Sequence, residues 1–128
     1  MNLPGIRLLF LLSGLYDLGI GLAFLGFGPR IFEQTGVPEP NHWGYIHFAS
    51  LMLVIFGAMF LAVSFNPWGN RNLIPFGMLL KISYVGLVAY YWTAGGVPWL
   101  FKPFLFIDAV MLVLFFLAYT RLQRPATW

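Results

Sequence analysis

Four long apolar stretches alternate with short polar ones along the chain. They run Leu8–Phe27, Tyr45–Phe65, Leu73–Trp92 and Pro98–Tyr119. A hydrocarbon layer about 30 Å thick needs about 20 helical residues to cross it, and each stretch is about that long. The pattern predicts four transmembrane helices in one domain covering residues 1–128. Between them lie Gly28-Pro29, Asn66-Pro67, Gly69-Asn70 and Gly95-Gly96, the pairs that punctuate helices. Pro4-Gly5 is expected to keep residues 1–7 outside the first helix, and Gly28-Pro29 to end it. The only long connection is then 30–44, with Arg30–Gln34 forming at most one amphipathic turn at the interface. Asn66–Asn72 and Thr93–Val97 read as tight turns, so sequential helices are expected to be antiparallel neighbours. The tail 125–128 reads as loose.

Within each stretch the small and polar residues repeat at helical spacing. Ser13, Gly14, Asp17 and Gly21 share one face of the first; His47, Ser50, Val54 and Gly57 share one face of the second. Gly77, Lys81, Tyr84 and Val88 do so in the third. Small residues on a face let a neighbouring backbone approach closely in lipid. Gly21-Leu22-Ala23-Phe24 is echoed by Gly86-Leu87-Val88-Ala89, which leaves open a duplicated helical hairpin.

Composition strengthens this picture. Of 128 residues 60% are hydrophobic, 20% aromatic and 9% charged. A soluble domain carries about 25% charged residues, so this chain lacks the polar side chains to cover a water-facing surface. The expected fold is an all-α polytopic membrane protein, a four-helix antiparallel bundle. The first stretch is too long for a signal-peptide core and lacks a small-residue cleavage site, so it is expected to remain as a span. The net charge of +3 comes from basic residues scattered singly, which excludes a nucleic-acid surface. Arg7, Arg71, Arg121 and Arg124 fall on one side; Arg30 and Lys102, with Glu33 and Glu39, fall on the other. The positive-inside rule then puts both termini in the cytoplasm, which points to a bacterial inner membrane.

Three charges interrupt the apolar stretches: Asp17, Lys81 and Asp108. Counted from the span centres at 1.5 Å per residue, each lies within roughly 3 Å of the midplane. Lysine at a bilayer centre costs roughly 2.5–3.5 kcal/mol on insertion scales, so Lys81 needs a partner. The two aspartates are the candidates, with Asp17 expected to be the nearer because its face is lined with small residues. Together the three would carry a net −1 and titrate as one coupled unit. Tyr16 and Tyr84 lie deep beside them, and each hydroxyl needs a hydrogen-bond partner. Such a cluster suits a cation, a proton or the polar end of an amphipathic ligand; it equally suits an ion pair that fixes helix register.

His42 and His47 lie at the outer mouth with Ser50. They read either as a proton inlet or as interfacial side chains sharing hydrogen bonds with Trp43, Tyr45 and Ser50. No third ligand accompanies them, so no metal is implied. The chain has no cysteine, and no nucleotide loop, nucleophile elbow or zinc motif occurs, so no cofactor is implied and an enzyme is the weaker reading. The alternative to a ligand site is a non-catalytic accessory subunit, assembled with other membrane subunits or with copies of itself.

Two resemblances add to this. Leu15-Tyr16-Asp17-Leu18-Gly19, Asn66-Pro67, Asn70-Arg71-Asn72 and Leu80-Lys81 with Tyr84 resemble small bacterial four-helix membrane proteins of the DoxX-like kind. Pro98-Trp99-Leu100-Phe101-Lys102-Pro103-Phe104-Leu105-Phe106-Ile107-Asp108 is similar to a stretch of the EXPERA group, which includes the sigma-2 receptor and sterol isomerases. In that group the acid lines a cavity for hydrophobic amines or sterols, so the resemblance implies such a role for Asp108. Here the stretch lies in the last helix and not the second.

Overall fold

The computed structural model describes residues 1–124, and the tail 125–128 lies outside the described residues. Four α-helices carry the chain: α1 (Leu3–Thr35), α2 (Gly44–Phe65), α3 (Ile74–Thr93) and α4 (Phe101–Leu122). All four are long and apolar enough to cross a membrane. Among the described residues there is no strand.

The first helix differs most from the sequence pattern. It begins at Leu3, before Pro4-Gly5, because the Asn2 side chain caps it by accepting from the Gly5 N–H at 2.8 Å. Pro4 sits in the first turn, where a missing N–H breaks no helical bond. Nor does α1 end at Gly28-Pro29. Pro29 kinks it instead: Phe27 leaves the helical region at φ −131°, ψ 20°, and the helix resumes through Thr35. Thus Arg30–Gln34 belongs to a helix and not to a loop. Burial of Phe32 against Trp43, with ring centroids 5.2 Å apart, holds this last segment in place. Gly36, with φ +73°, takes the left-handed conformation that closes the helix, and the Val37 N–H reaches back to the Phe32 carbonyl at 2.9 Å.

The other ends follow the pattern within a few residues. Asn66 accepts from the Gly69 N–H, and Asn70 donates to the Ala62 carbonyl, which fixes the turn after α2. A single 3-10 turn, Arg71–Leu73, leads into α3, with Pro75 in its first turn. The start of α4 falls at Phe101, not Pro98, because residues 98–102 make a turn with the Phe101 N–H on the Pro98 carbonyl.

Packing divides the bundle into two close pairs, α1 with α2 and α3 with α4. In the first pair the small-residue faces meet. A Cβ built on Gly57 would lie 2.7 Å from the Leu18 backbone N and 2.9 Å from the Gly14 carbonyl O; one built on Gly21 would lie 2.6 Å from the Ser50 carbonyl O. Further along, Gly28 lies against Trp43 and Ile46, and at the opposite end Ser64 donates to the Arg7 carbonyl at 2.7 Å. The echoed Gly86 has open space around it, so the two glycine motifs do not play matching roles.

The buried core gathers near the Arg7 and Arg71 end. Ile6, Phe10, Phe60, Val63, Ile74, Phe115, Ala118 and Leu122 fill it, and Arg71 donates to the Leu122 carbonyl at 3.3 Å.

Candidate functional site

Immediately beyond this core the three intramembrane charges meet. Lys81 Nζ lies 3.0 and 3.3 Å from the two carboxylate oxygens of Asp17 and 3.1 Å from Asp108 Oδ1. Lys81 and Asp17 are each 1% exposed, and Asp108 is 7% exposed. An ammonium has three N–H donors and no acceptor, and here they point to two acids from two different helices. The rings of Tyr16 and Phe60 flank the ammonium, with centroids 5.4 and 5.7 Å from Nζ, within range of a cation–π contact. Removed from water, such a cluster is tolerable only because every member finds an opposite charge.

Helical spacing places these three residues at one depth but does not give the reason they meet. The glycine face of α1 is occupied by α2, not by α3. Lys81 therefore reaches Asp17 across the bundle by its own side-chain length, and lies 3.0 Å from Asp17 and 3.1 Å from Asp108. Helix α3 supplies the long flexible side chain that spans the gap, while α1 and α4 each supply a short acid. Phe60 packs so tightly on Gly77, one turn before Lys81, that any side chain at 77 would collide with its ring.

The tyrosines separate. Tyr84 donates to the Phe101 carbonyl at 2.9 Å and so joins α3 to the start of α4. Tyr16 packs edge-on against Phe104, with centroids 6.1 Å apart, and its buried hydroxyl has no hydrogen-bond partner among the described residues. The same is true of the Ser13 hydroxyl, one turn before Asp17 on the same face.

A cavity of about 720 Å³ begins at the two acids. That volume is within the range of small-molecule sites, about 300–1,000 Å³. All four helices line it, and its wall includes Tyr16, Asp17, Tyr84 and Asp108 among apolar side chains such as Phe24, Leu53 and Phe104. The lysine does not line it. The cavity thus faces the acceptor side of the cluster.

No protein-family model, curated protein or solved structure matches the chain.

The residues expected at the outer mouth are arranged differently from expectation. His42 Nδ1 accepts from the Gly44 N–H at 2.9 Å, and its ring lies 6.0 Å from that of Tyr45. His47 is half-buried. Neither histidine is among the residues lining the cavity. Ser50 does line it, but its hydroxyl donates to the Ile46 carbonyl at 2.6 Å, one turn back on its own helix, and not to a histidine. Trp43 packs on Phe32. The apolar wall and the Phe10–Phe60–Phe115 aromatic cluster were not visible in the sequence. With 14 phenylalanines, no spacing marked these as special.

Proposed function

We propose that the protein is an integral membrane protein, of the bacterial inner membrane, whose Asp17–Lys81–Asp108 cluster is the polar end of a binding site. Its ligand is an amphipathic or cationic small molecule or a proton. The observation that carries this reading is the cavity beside the cluster: its wall contains both acids and excludes the lysine. A register-fixing ion pair needs no cavity of this size. The similarity of Pro98–Asp108 to the EXPERA group supports the same role for Asp108. No activated nucleophile accompanies the acids, which favours binding over catalysis.

Thermal unfolding of the purified protein tests it. A ligand at about 100 times its Kd stabilises by about 2.7 kcal/mol. Dodecylamine is expected to raise Tm in the wild type and to lose that effect in Asp108→Asn. Equal shifts in both proteins, or none in either across pH 5 to 8, would return the cluster to a purely structural role.

The proposed bundle is antiparallel, with both termini cytoplasmic. The order of contacts supports the first part: Arg7, Gly14, Gly21 and Gly28 of α1 meet Ser64, Gly57, Ser50 and Ile46 of α2 in turn. The four-to-two excess of basic residues supports the second. Gln34 and Gln123 are exposed, and the chain has no cysteine of its own. An impermeant thiol reagent on intact cells is expected to label Gln34→Cys and to spare Gln123→Cys. The reverse pattern means inverted topology.

A second reading, an accessory subunit within a larger complex or homo-oligomer, has its own support. Gly19 and Gly26 on α1 both face outward with no atom within 4 Å of a built Cβ. Such positions admit another helix at close range.

A further inference from the structure

The cavity is not equally covered on every side. At its inner end Phe10, Phe60 and Phe115 are fully buried, with ring centroids 4.7–6.0 Å apart, and they shut off the Arg7 and Arg71 end. The glycine contacts close α1 on α2. Tyr16 against Phe104 bridges α1 and α4, and the Tyr84 hydrogen bond to Phe101 bridges α3 and α4. The flank between α2 and α3 is different. These helices meet where Phe60 lies on Gly77 and touch little elsewhere; α1 and α4 touch as little, but there the cavity-lining Tyr16, Ile20, Phe24 and Phe104 are half-buried. Phe48 and Ala49 of α2 and Ser83 and Leu87 of α3 line the cavity and are also exposed, Phe48 to 64% and Leu87 to 59%. Side chains that line a cavity and also face outward mark its mouth.

The depth of that mouth decides what enters. Ser83 and Leu87 lie two and six residues along α3 from Lys81, about 3 and 9 Å at 1.5 Å per residue. With Lys81 near the midplane of a layer about 30 Å thick, the mouth opens into hydrocarbon.

Building on the ligand site proposed above, we propose that it is filled sideways from the acyl layer, through the gap between α2 and α3. Its occupant is a single-chain amphiphile whose head donates hydrogen bonds to Asp17 and Asp108 while its chain lies in the gap. Both acids are acceptors, so the head must be a donor. The walls are apolar, so the body must be apolar. A proton in transit would need a polar route past the aromatic seal, and the seal offers none. The volume suits one chain, not a two-chain phospholipid.

Photolabelling in phosphatidylcholine vesicles tests the route. The probes are hexadecanol and hexadecylamine, each carrying a diazirine in mid-chain, with adducts mapped by mass spectrometry. Met52, Leu53 and Leu80 line the interior, and Val113 on the outer face of α4 serves as the control. Interior labelling is expected in the wild type and is expected to fall at least fivefold in Ser83→Trp, with labelling of Val113 unchanged. Ala49→Trp, on the opposite lip, is expected to do the same. Both positions are exposed, and unchanged Tm verifies that the variants fold. Equal interior labelling in wild type and both variants overturns lateral loading. So does interior labelling that is absent while Val113 is labelled. A parallel arm separates the two proposals. If water-soluble triethylamine, whose ammonium donates one N–H but which cannot be trapped as an amide, protects Asp108 from a carbodiimide equally in wild type and Ser83→Trp, the site binds from water: the lateral route falls and the ligand site stands. If neither interior labelling nor protection is seen, both fall. A larger fivefold effect for the amine than for the alcohol assigns the donor head as cationic.

Discussion

Lys81→Met is expected to be among the most damaging single substitutions in the protein, at a cost of about 3–5 kcal/mol. That is the range for removing one partner of a buried ion pair. The reason is specific to this geometry. Lys81 is the one cation between two acids, so its loss leaves Asp17 and Asp108 facing each other with no counter-charge. The acids are not equivalent to it. After Asp17→Asn, Lys81 keeps Asp108 at 3.1 Å and the cluster becomes neutral. The loss should then be near that of one hydrogen bond to a charged group, about 1.5–3 kcal/mol. Asp17→Asn with Asp108→Asn strands the lysine and should again be severe. Adding Lys81→Met to that pair removes every charge, and most of the lost stability should return. Denaturation of the solubilised protein in one detergent measures the series. Neighbours in one network are non-additive by about 0.5–3 kcal/mol. If all the single costs simply add, the triad does not form.

A second large effect is expected at the α1–α2 contact. Gly57→Leu should separate these helices, because even the first carbon of a side chain there would meet the Leu18 backbone N at 2.7 Å and the Gly14 carbonyl O at 2.9 Å. Backbone cannot swing aside as a side chain can. Overpacking typically costs about 1–3 kcal/mol for added methylenes in a tight core, and a whole leucine against backbone belongs at or above the upper end. Gly21→Leu should behave alike, since its Cβ would approach the Ser50 carbonyl O at 2.6 Å. Gly19→Ala and Gly86→Ala provide the contrast. Both meet open space, so they should be neutral or should stabilise by up to about 1 kcal/mol from helix preference. Tm measured across the four variants decides it. Equal costs at Gly57 and Gly19 would mean that the close approach of α1 and α2 is absent. A loss for Gly19→Ala confined to a native complex would instead favour the accessory-subunit reading.

The buried charges and the α1–α2 glycines depend on different layers of information. That Gly14, Gly21 and Gly57 face a neighbour could be read from helical spacing alone. Which neighbour could not, because spacing fixes a residue's direction around its own helix and says nothing about the helix it meets. Asp17 does lie marginally nearer Lys81, at 3.0 Å against 3.1 Å for Asp108, but not for the expected reason. Its small neighbours bring α2 close, while Lys81 on α3 reaches in through its own four-carbon stem.

Pro29 gives a similar contrast. Proline predicts that a helix is interrupted, and an interruption is present at Phe27. Whether the chain then leaves the helix or bends and continues depends on what the next turn can bury. Phe32 finds Trp43, and the helix continues. No local pattern at residues 28–35 carries that information.

The order of residues is enough to show that four apolar helices form, where most of them end, and that Asp17, Lys81 and Asp108 lie at one depth. These are consequences of residue type and of a fixed rise per residue. Only the packing of the helices shows that one lysine serves both acids, that three phenylalanines cluster at one end, and that a cavity lined by all four helices begins at the acids. Each of these depends on how far apart helix axes lie, and that distance is set by side chains packing from different helices, which one-dimensional periodicity does not encode.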